Sequence, residues 1–455
     1  MKSFIKRISV LTLILLAVSG IKVQAQKPSQ AKYVVLITVD GFRPEFYLDS
    51  RYGMFTVREL MKMGVAVKGL NPVFPSVTYP DHTTMISGVT PAKHGIFYNT
   101  PFEPEGETGK WNWDYNLIKV PTIWTAMHDA GRTTACVSWP VTCNAPIDYR
   151  IPECWDYKNP SNTLSLVTAS CYPKTLFKEV QDNATGRLST RDITCGNEEL
   201  LSDENIARIS SYLISRYKPN FIAIHLPCVD HYEHEYGREA YMVHAAVTGA
   251  DRSIKSILEG IHRANIQDST LVVVLGDHGF ENVYRYFNPN YLLKQNGLIT
   301  DIKKDEWKAQ FHSQGGSTFL QLKNADDKRT MKKVMKILEN LPDTVKQYFA
   351  IIDKEKLKTV GADPSVDLAL TGLKGTEFGT TTKKLFTKLD RVRGNHGFYP
   401  DHHQIQTGLV ACGPGLKSGL IINEMNITDV APLIVHLSGI ILPNMDGKLH
   451  TELLK

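Results

Sequence analysis

Three acidic clusters stand directly behind apolar, strand-like runs, and a histidine in a glycine-flanked loop follows far downstream. They read Ile37-Thr38-Val39-Asp40-Gly41, Pro227-Cys228-Val229-Asp230 with His234, Leu275-Gly276-Asp277-His278-Gly279, and Gly394-Asn395-His396-Gly397. A buried strand that ends in Asp sets its carboxylate at the carboxyl edge of a sheet, where open α/β folds build their sites. Asp230 and His234, four residues apart, share one face if that stretch is helical. Six oxygen and nitrogen donors arriving from four such places suit two adjacent Zn²⁺ ions, three side chains each.

That convergence constrains the fold. The 455 residues would by length suggest about three domains. Ligands spread from Asp40 to His396 instead argue for a single catalytic domain over residues 26–455, interrupted by long insertions at about 140–200 and 281–390. The pattern alternates apolar β-type runs (Tyr33–Val39, Thr133–Trp139, Phe221–Leu226, Thr270–Leu275, Thr407–Cys412) with helical stretches such as Phe55–Met63, Asp203–Arg216, Glu239–Ile261 and Asp429–Leu437. This alternation predicts an α/β fold: a largely parallel central sheet with helices on both faces. Residues 140–200 lack clean periodicity and suit an irregular excursion over the site. Residues 281–390, with a strand near Ser317–Leu322 and a helix near Lys328–Leu341, fall between two ligand clusters and should cap it.

With 42% hydrophobic and 22% charged residues the chain has a globular composition. Its net charge of +5 is too small and dispersed for a stable nucleic-acid partner. Lys2, Lys6 and Arg7 precede an apolar run from Ile8 to Val18, and Val23-Gln24-Ala25 supplies a small-x-small cleavage pattern. Residues 1–25 therefore read as a signal peptide, and the mature protein as exported, periplasmic or secreted, without a membrane span. Cys136, Cys228 and Cys412 fall in or beside apolar runs. Cys143, Cys154, Cys171 and Cys195 could form two disulfides in any of three pairings.

Between the first ligand and the others lies Phe74-Pro75-Ser76-Val77-Thr78-Tyr79-Pro80-Asp81-His82. A Thr in a proline-braced loop entering a helix is placed to be a nucleophile, with helix-end N–H groups available to an anionic transition state. Either Thr78 or Asp81 could also cap that helix. Tyr79, Trp139, Trp155 and Tyr157 are candidates to pack against a flat substituent of a substrate. Asp401, His402 and His403 read as a surface loop, and Arg43 as structural.

Taken in order, Val-Asp-Gly-Phe-Arg-Pro, Phe-Pro-Ser-x-Thr-Tyr-Pro-Asp-His, His94-Gly95-Ile96 with Asn99, and the three later clusters resemble the nucleotide pyrophosphatase/phosphodiesterase family of the alkaline phosphatase superfamily. The resemblance covers most of residues 32–450. It implies that Asp40, Thr78, Asp277 and His278 surround one Zn²⁺ and that Asp230, His234 and His396 hold the other. It also implies that Asn99 donates a hydrogen bond to a non-bridging phosphoryl oxygen. Val141-Thr142-Cys143 stands where many relatives have Gly, so pocket details do not transfer.

Chemistry agrees with those roles. A bound divalent cation lowers the pKa of a hydroxyl, so Thr78 could attack phosphorus as an alkoxide. A covalent phospho-threonine would form and then be hydrolysed, releasing a nucleoside monophosphate. Three carboxylates and an alkoxide roughly cancel two Zn²⁺, and Asn99 is a neutral donor. That balance favours a small-molecule phosphodiester or pyrophosphate over a phosphomonoester dianion. The alternatives are a phosphonate hydrolase or phosphomonoesterase on the same two-metal scaffold, and a metal-retaining phosphate-ligand binding protein. A formylglycine sulfatase is disfavoured because no Cys-x-Pro-x-Arg stretch occurs.

Overall fold

The computed structural model describes residues 30–193 and 201–455. The expected signal peptide and Cys195 lie outside them. The central feature is an eight-stranded sheet. Its strands are β1 (Tyr33–Val39), β2 (Val65–Asn71), β3 (Thr134–Val137), β4 (Tyr149–Ile151), β5 (Phe221–Leu226), β6 (Thr270–Leu275), β7 (Thr407–Cys412) and β8 (Leu420–Asn426). Their spatial order is β8-β2-β7-β6-β1-β5-β3-β4. All neighbouring pairs are parallel except those made by β7, which runs antiparallel to both β2 and β6. The fold is thus the α/β architecture that the alternation of runs predicts, with one reversed strand.

β1 is apolar at every position except Thr38 and buried throughout, as a strand covered on both faces must be. Val35, Ile37 and Val39 point into a core formed with helices Phe55–Met63, Leu201–Tyr217 and Tyr241–Arg263. Val34 and Leu36 point the other way, toward Trp124, Met85 and helix Val430–Ser438. The second core also takes Trp139, which is fully buried. Among the described residues no helix is long and apolar enough to cross a membrane.

Register fixes the site. Val39 of β1 pairs with Leu226 of β5, and Thr38 pairs with Leu275 of β6, so the three strands finish level with one another. Asp40, Asp230 and Asp277 emerge from the same edge. Gly41 then turns the chain with φ +72, and a Cβ there would lie 2.7 Å from Glu233 Oε2 and 2.9 Å from the Phe280 ring.

The irregular stretch after β3 carries more structure than expected: β4 and short helices Thr163–Ser170 and Leu176–Val180. Short, mixed segments of this kind carry too few repeats to register as periodic. Val141 takes φ +55, a backbone conformation that suits glycine and strains a β-branched residue. The stretch from 281 to 395 forms a four-stranded antiparallel sheet, which includes Ser317–Leu322, and a three-stranded sheet whose strand Phe386–Asn395 delivers His396. The six cysteines among the described residues are free thiols, so no disulfide joins Cys143, Cys154 and Cys171 to one another.

Candidate active site

The six expected ligands gather into two groups, Asp40 with Asp277 and His278, and Asp230 with His234 and His396. Within each group one ligand atom per residue lies within 4.8 Å of the others. The first group comes straight off β1 and β6. The second combines helix Cys228–Tyr236, which presents Asp230 and His234 one turn apart, with the loop after Phe386–Asn395.

The donor set fits cations. His234 Nδ1 faces the Gly394 carbonyl at 3.1 Å and His396 Nδ1 faces the Ser76 carbonyl at 2.9 Å. A carbonyl only accepts, so each Nδ1 carries the proton and each Nε2 is left with its lone pair. Those two Nε2 atoms lie 3.1 Å apart. Two facing lone pairs repel unless a cation takes both. Asp40 Oδ1, Asp230 Oδ1, Asp277 Oδ2 and both ring nitrogens of His278 are buried without a hydrogen-bond partner, which buried polar atoms rarely tolerate.

Electrostatics point the same way. Burial, then the neighbouring Asp230 and Asp277, hold the Asp40 carboxyl well above its ordinary range. Burial pushes Asp277 up to about 6 and His396 down to about 4. Without cations Asp40, Asp277, His278 and His396 prefer neutral side chains, while Asp230 and His234 hold each other charged; divalent ions would restore the ligating carboxylates and displace the extra proton on His234.

Thr78 is the first residue of helix Thr78–Ser87. Neither capping role materialises. No side chain caps this helix, and Asp81 Oδ1 instead accepts from the Val73 N–H at 2.8 Å, bracing the proline-rich loop. The expected helix-end donors are largely spent as well. The Tyr79 N–H is taken by Asn99 Oδ1 at 2.8 Å, and Pro80 has none. That bond fixes the Asn99 amide, because an N–H can meet only its oxygen, and leaves the NH₂ group free to donate. Asn99 thereby adds an oriented donor beside the helix terminus. His82, fully buried, faces the Thr78 carbonyl through Nδ1 at 2.8 Å and the Thr38 hydroxyl through Nε2 at 2.9 Å.

Two cavities flank the centre. One of about 480 Å³ is bounded by Asp40, Thr78 and Asp230, carries Trp111 and Trp155, and deepens into apolar wall at Val167, Phe177 and Ile206. The other, about 410 Å³, is lined by Asn99, Trp111, His234 and His396, with Glu377 and Gln314 from the capping segment. No Lys or Arg stands among the described lining residues of either cavity.

The aromatic candidates separate. Trp155 lines the first cavity. Trp139 belongs to the core, and Tyr157 reaches Trp113 rather than either cavity. Tyr79 is a correction: its ring is fully buried against Trp111 and its hydroxyl donates to Glu153 Oε1 at 2.8 Å, so it presents no face to a substrate. Arg43 is structural, buried with its Nε 2.7 Å from Glu233 Oε1. Asp401 and His403 are exposed, and His402 bonds Glu281. Two polar residues escaped sequence reasoning: Glu153 and His225. The second left a trace, as a lone His inside the apolar run Phe221–Leu226. Glu153 left none.

Comparison with known proteins adds the following. The family model for type I phosphodiesterase / nucleotide pyrophosphatase matches residues 34–399. The chain is 22% identical to a Xenopus laevis bis(5'-adenosyl)-triphosphatase over 432 residues, 90% of this chain and 79% of that protein. It is 23% identical to the Rattus norvegicus ectonucleotide pyrophosphatase/phosphodiesterase family member 1 over 437 residues, 92% of this chain but only 42% of that longer protein. The solved structure of murine ectonucleotide pyrophosphatase / phosphodiesterase 5, an inactive form in complex with AMP, superposes with a TM-score of 0.66 at 17% identity, covering 94% of this chain and 100% of that one. The human counterpart gives 0.65 at 18% identity, over 93% and 100% of the two chains. At such identities the likeness to these structures is one of fold.

Proposed function

The chain belongs to the type I phosphodiesterase / nucleotide pyrophosphatase family, and from that premise we propose that it is an exported, zinc-dependent hydrolase of nucleotide phosphodiester or pyrophosphate bonds that works through a phospho-threonine and releases a nucleoside monophosphate. We read residues 26–455 as one catalytic unit whose insertions at about 140–200 and 281–390 shape the two cavities. The observation that carries the proposal is the position of Thr78. It lines the cavity that Asp40 and Asp230 also line, one member from each ligand group.

Asp40, Asp277 and His278 would hold one Zn²⁺, with Thr78 beside it, and Asp230, His234 and His396 the other. Bound there, the ions supply Lewis-acid stabilisation of the attacking and departing oxygens of an in-line displacement. The chain's own groups do the rest. Thr78 Oγ1 attacks phosphorus and the ester oxygen of the leaving group departs, forming the phospho-threonine. Water then attacks from the opposite side and returns the Thr78 hydroxyl. The Asn99 NH₂ donates to a non-bridging oxygen throughout, held by the Tyr79 N–H that its Oδ1 accepts. Trp155 and Trp111 border the cavity into which the organic group on phosphorus extends.

Charge selects the substrate class. With neutral Asn99 and no Lys or Arg among the described lining residues, a monoanionic diester is matched to the centre and a dianionic monoester finds no additional cation. The AMP bound by the murine relative is a nucleoside monophosphate, the product class this reaction would leave. The test is a panel of a nitrophenyl nucleotide diester, the matching monoester and phosphonoacetate, each with and without chelator. The diester is expected to turn over fastest, with loss on chelation. Equal or faster monoester turnover would replace this reading with a phosphomonoesterase, and phosphonoacetate turnover with a phosphonate hydrolase. No turnover at all would leave a metal-retaining binding protein.

A further inference from the structure

Glu153 follows β4 by two residues and reaches back toward the first cavity from the segment least regular in sequence. Both of its carboxylate oxygens are engaged. Oε1 accepts from the Tyr79 hydroxyl at 2.8 Å, and Oε2 faces His225 Nδ1 at 2.9 Å. His225 lies on β5 beside β1, and its Nε2 faces Asp40 Oδ2 at 3.1 Å. The other Asp40 oxygen, Oδ1, has no hydrogen bond. His225 Nδ1 also faces the Ser138 carbonyl at 3.1 Å, so Glu153 and Ser138 together set the ring, Glu153 with the shorter, charged contact, and His225 sets which Asp40 oxygen is turned away. The same carboxylate anchors the phenol of the residue next to Thr78, whose backbone N–H is held by Asn99. A single side chain therefore ties the nucleophile's neighbour to a candidate metal ligand.

We propose that Glu153 and His225 are positioning residues for the reaction: acting in series, they orient the ligating face of Asp40 relative to Thr78. The proposal rests on the two-metal, Thr78 reading given above. Outer groups of this kind commonly change metal affinity or activity by about 10- to 100-fold when removed. A network that only supported the fold would change stability and leave both untouched. A direct contact with the substrate, which the cavity position of both residues would also allow, would raise KM and leave metal affinity alone.

The experiment uses the full chain and the variants Glu153→Gln, His225→Phe, His225→Gln and the double Glu153→Gln/His225→Phe. It reads Zn²⁺ affinity by competition with a chelating dye, kcat and KM on a nitrophenyl nucleotide diester, and Tm. Expected are zinc affinity and kcat each reduced by about 10- to 100-fold in Glu153→Gln and His225→Phe, with KM within about twofold of wild type. His225→Gln, which keeps a donor for Asp40, is expected closer to wild type than His225→Phe. The double variant should be no worse than the weaker single by more than about threefold, since residues in series are not additive. Wild-type zinc affinity in Glu153→Gln and His225→Phe, a change confined to KM, or His225→Phe matching His225→Gln would overturn the relay while a zinc-loaded, active wild type kept the function intact. A wild type that holds no zinc would overturn both.

Discussion

His234 and His396 turn their Nε2 atoms toward each other at 3.1 Å while each Nδ1 is committed to a backbone carbonyl. Three residues with a shared focus can give their lone pairs to a cation that Asp230 would help to neutralise, in place of the proton that Asp230 otherwise favours on His234. Removing one of the three should empty one group and leave the other. We expect wild-type protein to carry two Zn²⁺ and His396→Ala to carry about one, read by elemental analysis after dialysis against trace zinc. Two retained ions in His396→Ala would assign that histidine elsewhere.

Zinc affinity should depend on pH with a definite sign. Burial raises Asp40 and brings Asp277 up to about 6, so in the metal-free protein these carboxyls hold protons that free carboxylates would have lost. A metal must displace those protons. Affinity therefore falls as the pH drops through about 6, where Asp277 takes up its proton, with the raised Asp40 and His234 adding to the protons released on binding. Calorimetry in two buffers of different ionisation enthalpy measures that release. Affinity that is flat from pH 7 to pH 5 would contradict it.

Thr78→Ala should lower turnover of a nucleotide diester by roughly 10³-fold or more, the scale seen when a nucleophile is deleted from a working constellation. Its zinc content should stay near wild type, because Asp40, Asp277 and His278 would still hold the first ion. Thr78→Ser should recover part of the activity. Acid-quenched wild type incubated with a labelled diester should show label on the peptide containing residue 78.

Arg43 and Glu233 are both fully buried and meet at 2.7 Å directly behind the second ligand group. Burial already pushes the Glu233 carboxyl up to about 8, so without Arg43 the acid takes up a proton, and the loss is that of buried hydrogen bonds and packing, about 1–3 kcal/mol. Arg43→Ala should therefore unfold at markedly lower urea. Wild-type stability in that variant would mean that water reaches Glu233 after the substitution.

Much of the architecture could be read in advance because its signals are local. The runs Phe221–Leu226, Thr270–Leu275, Ser317–Leu322 and Thr407–Cys412 are strands with those bounds, each dominated by apolar or β-branched residues and followed by a proline, glycine or lysine. Asp40, Asp230 and Asp277 were visible because each lies at or just beyond the end of such a run. β2 was not foreseen, because Lys68 and Gly69 interrupt Val65–Asn71. The entry of Thr78 into its helix depends on Asn99 and Asp81 satisfying backbone donors from a distance. Glu153 meets His225 only because the segment after β4, the edge strand beyond β3, folds back across the end of β3 to β5, a relation no residue spacing encodes. The same holds for Tyr79, whose burial follows from Trp111 and Glu153 closing over it.

The most direct measurement is the stereochemical course of hydrolysis of a nucleotide phosphorothioate diester, chiral at phosphorus, in isotopically labelled water. Attack by Thr78 followed by attack of water inverts phosphorus twice, so the product should retain configuration. An inverted product would mean that water attacks the substrate in one step and that Thr78 is not the nucleophile.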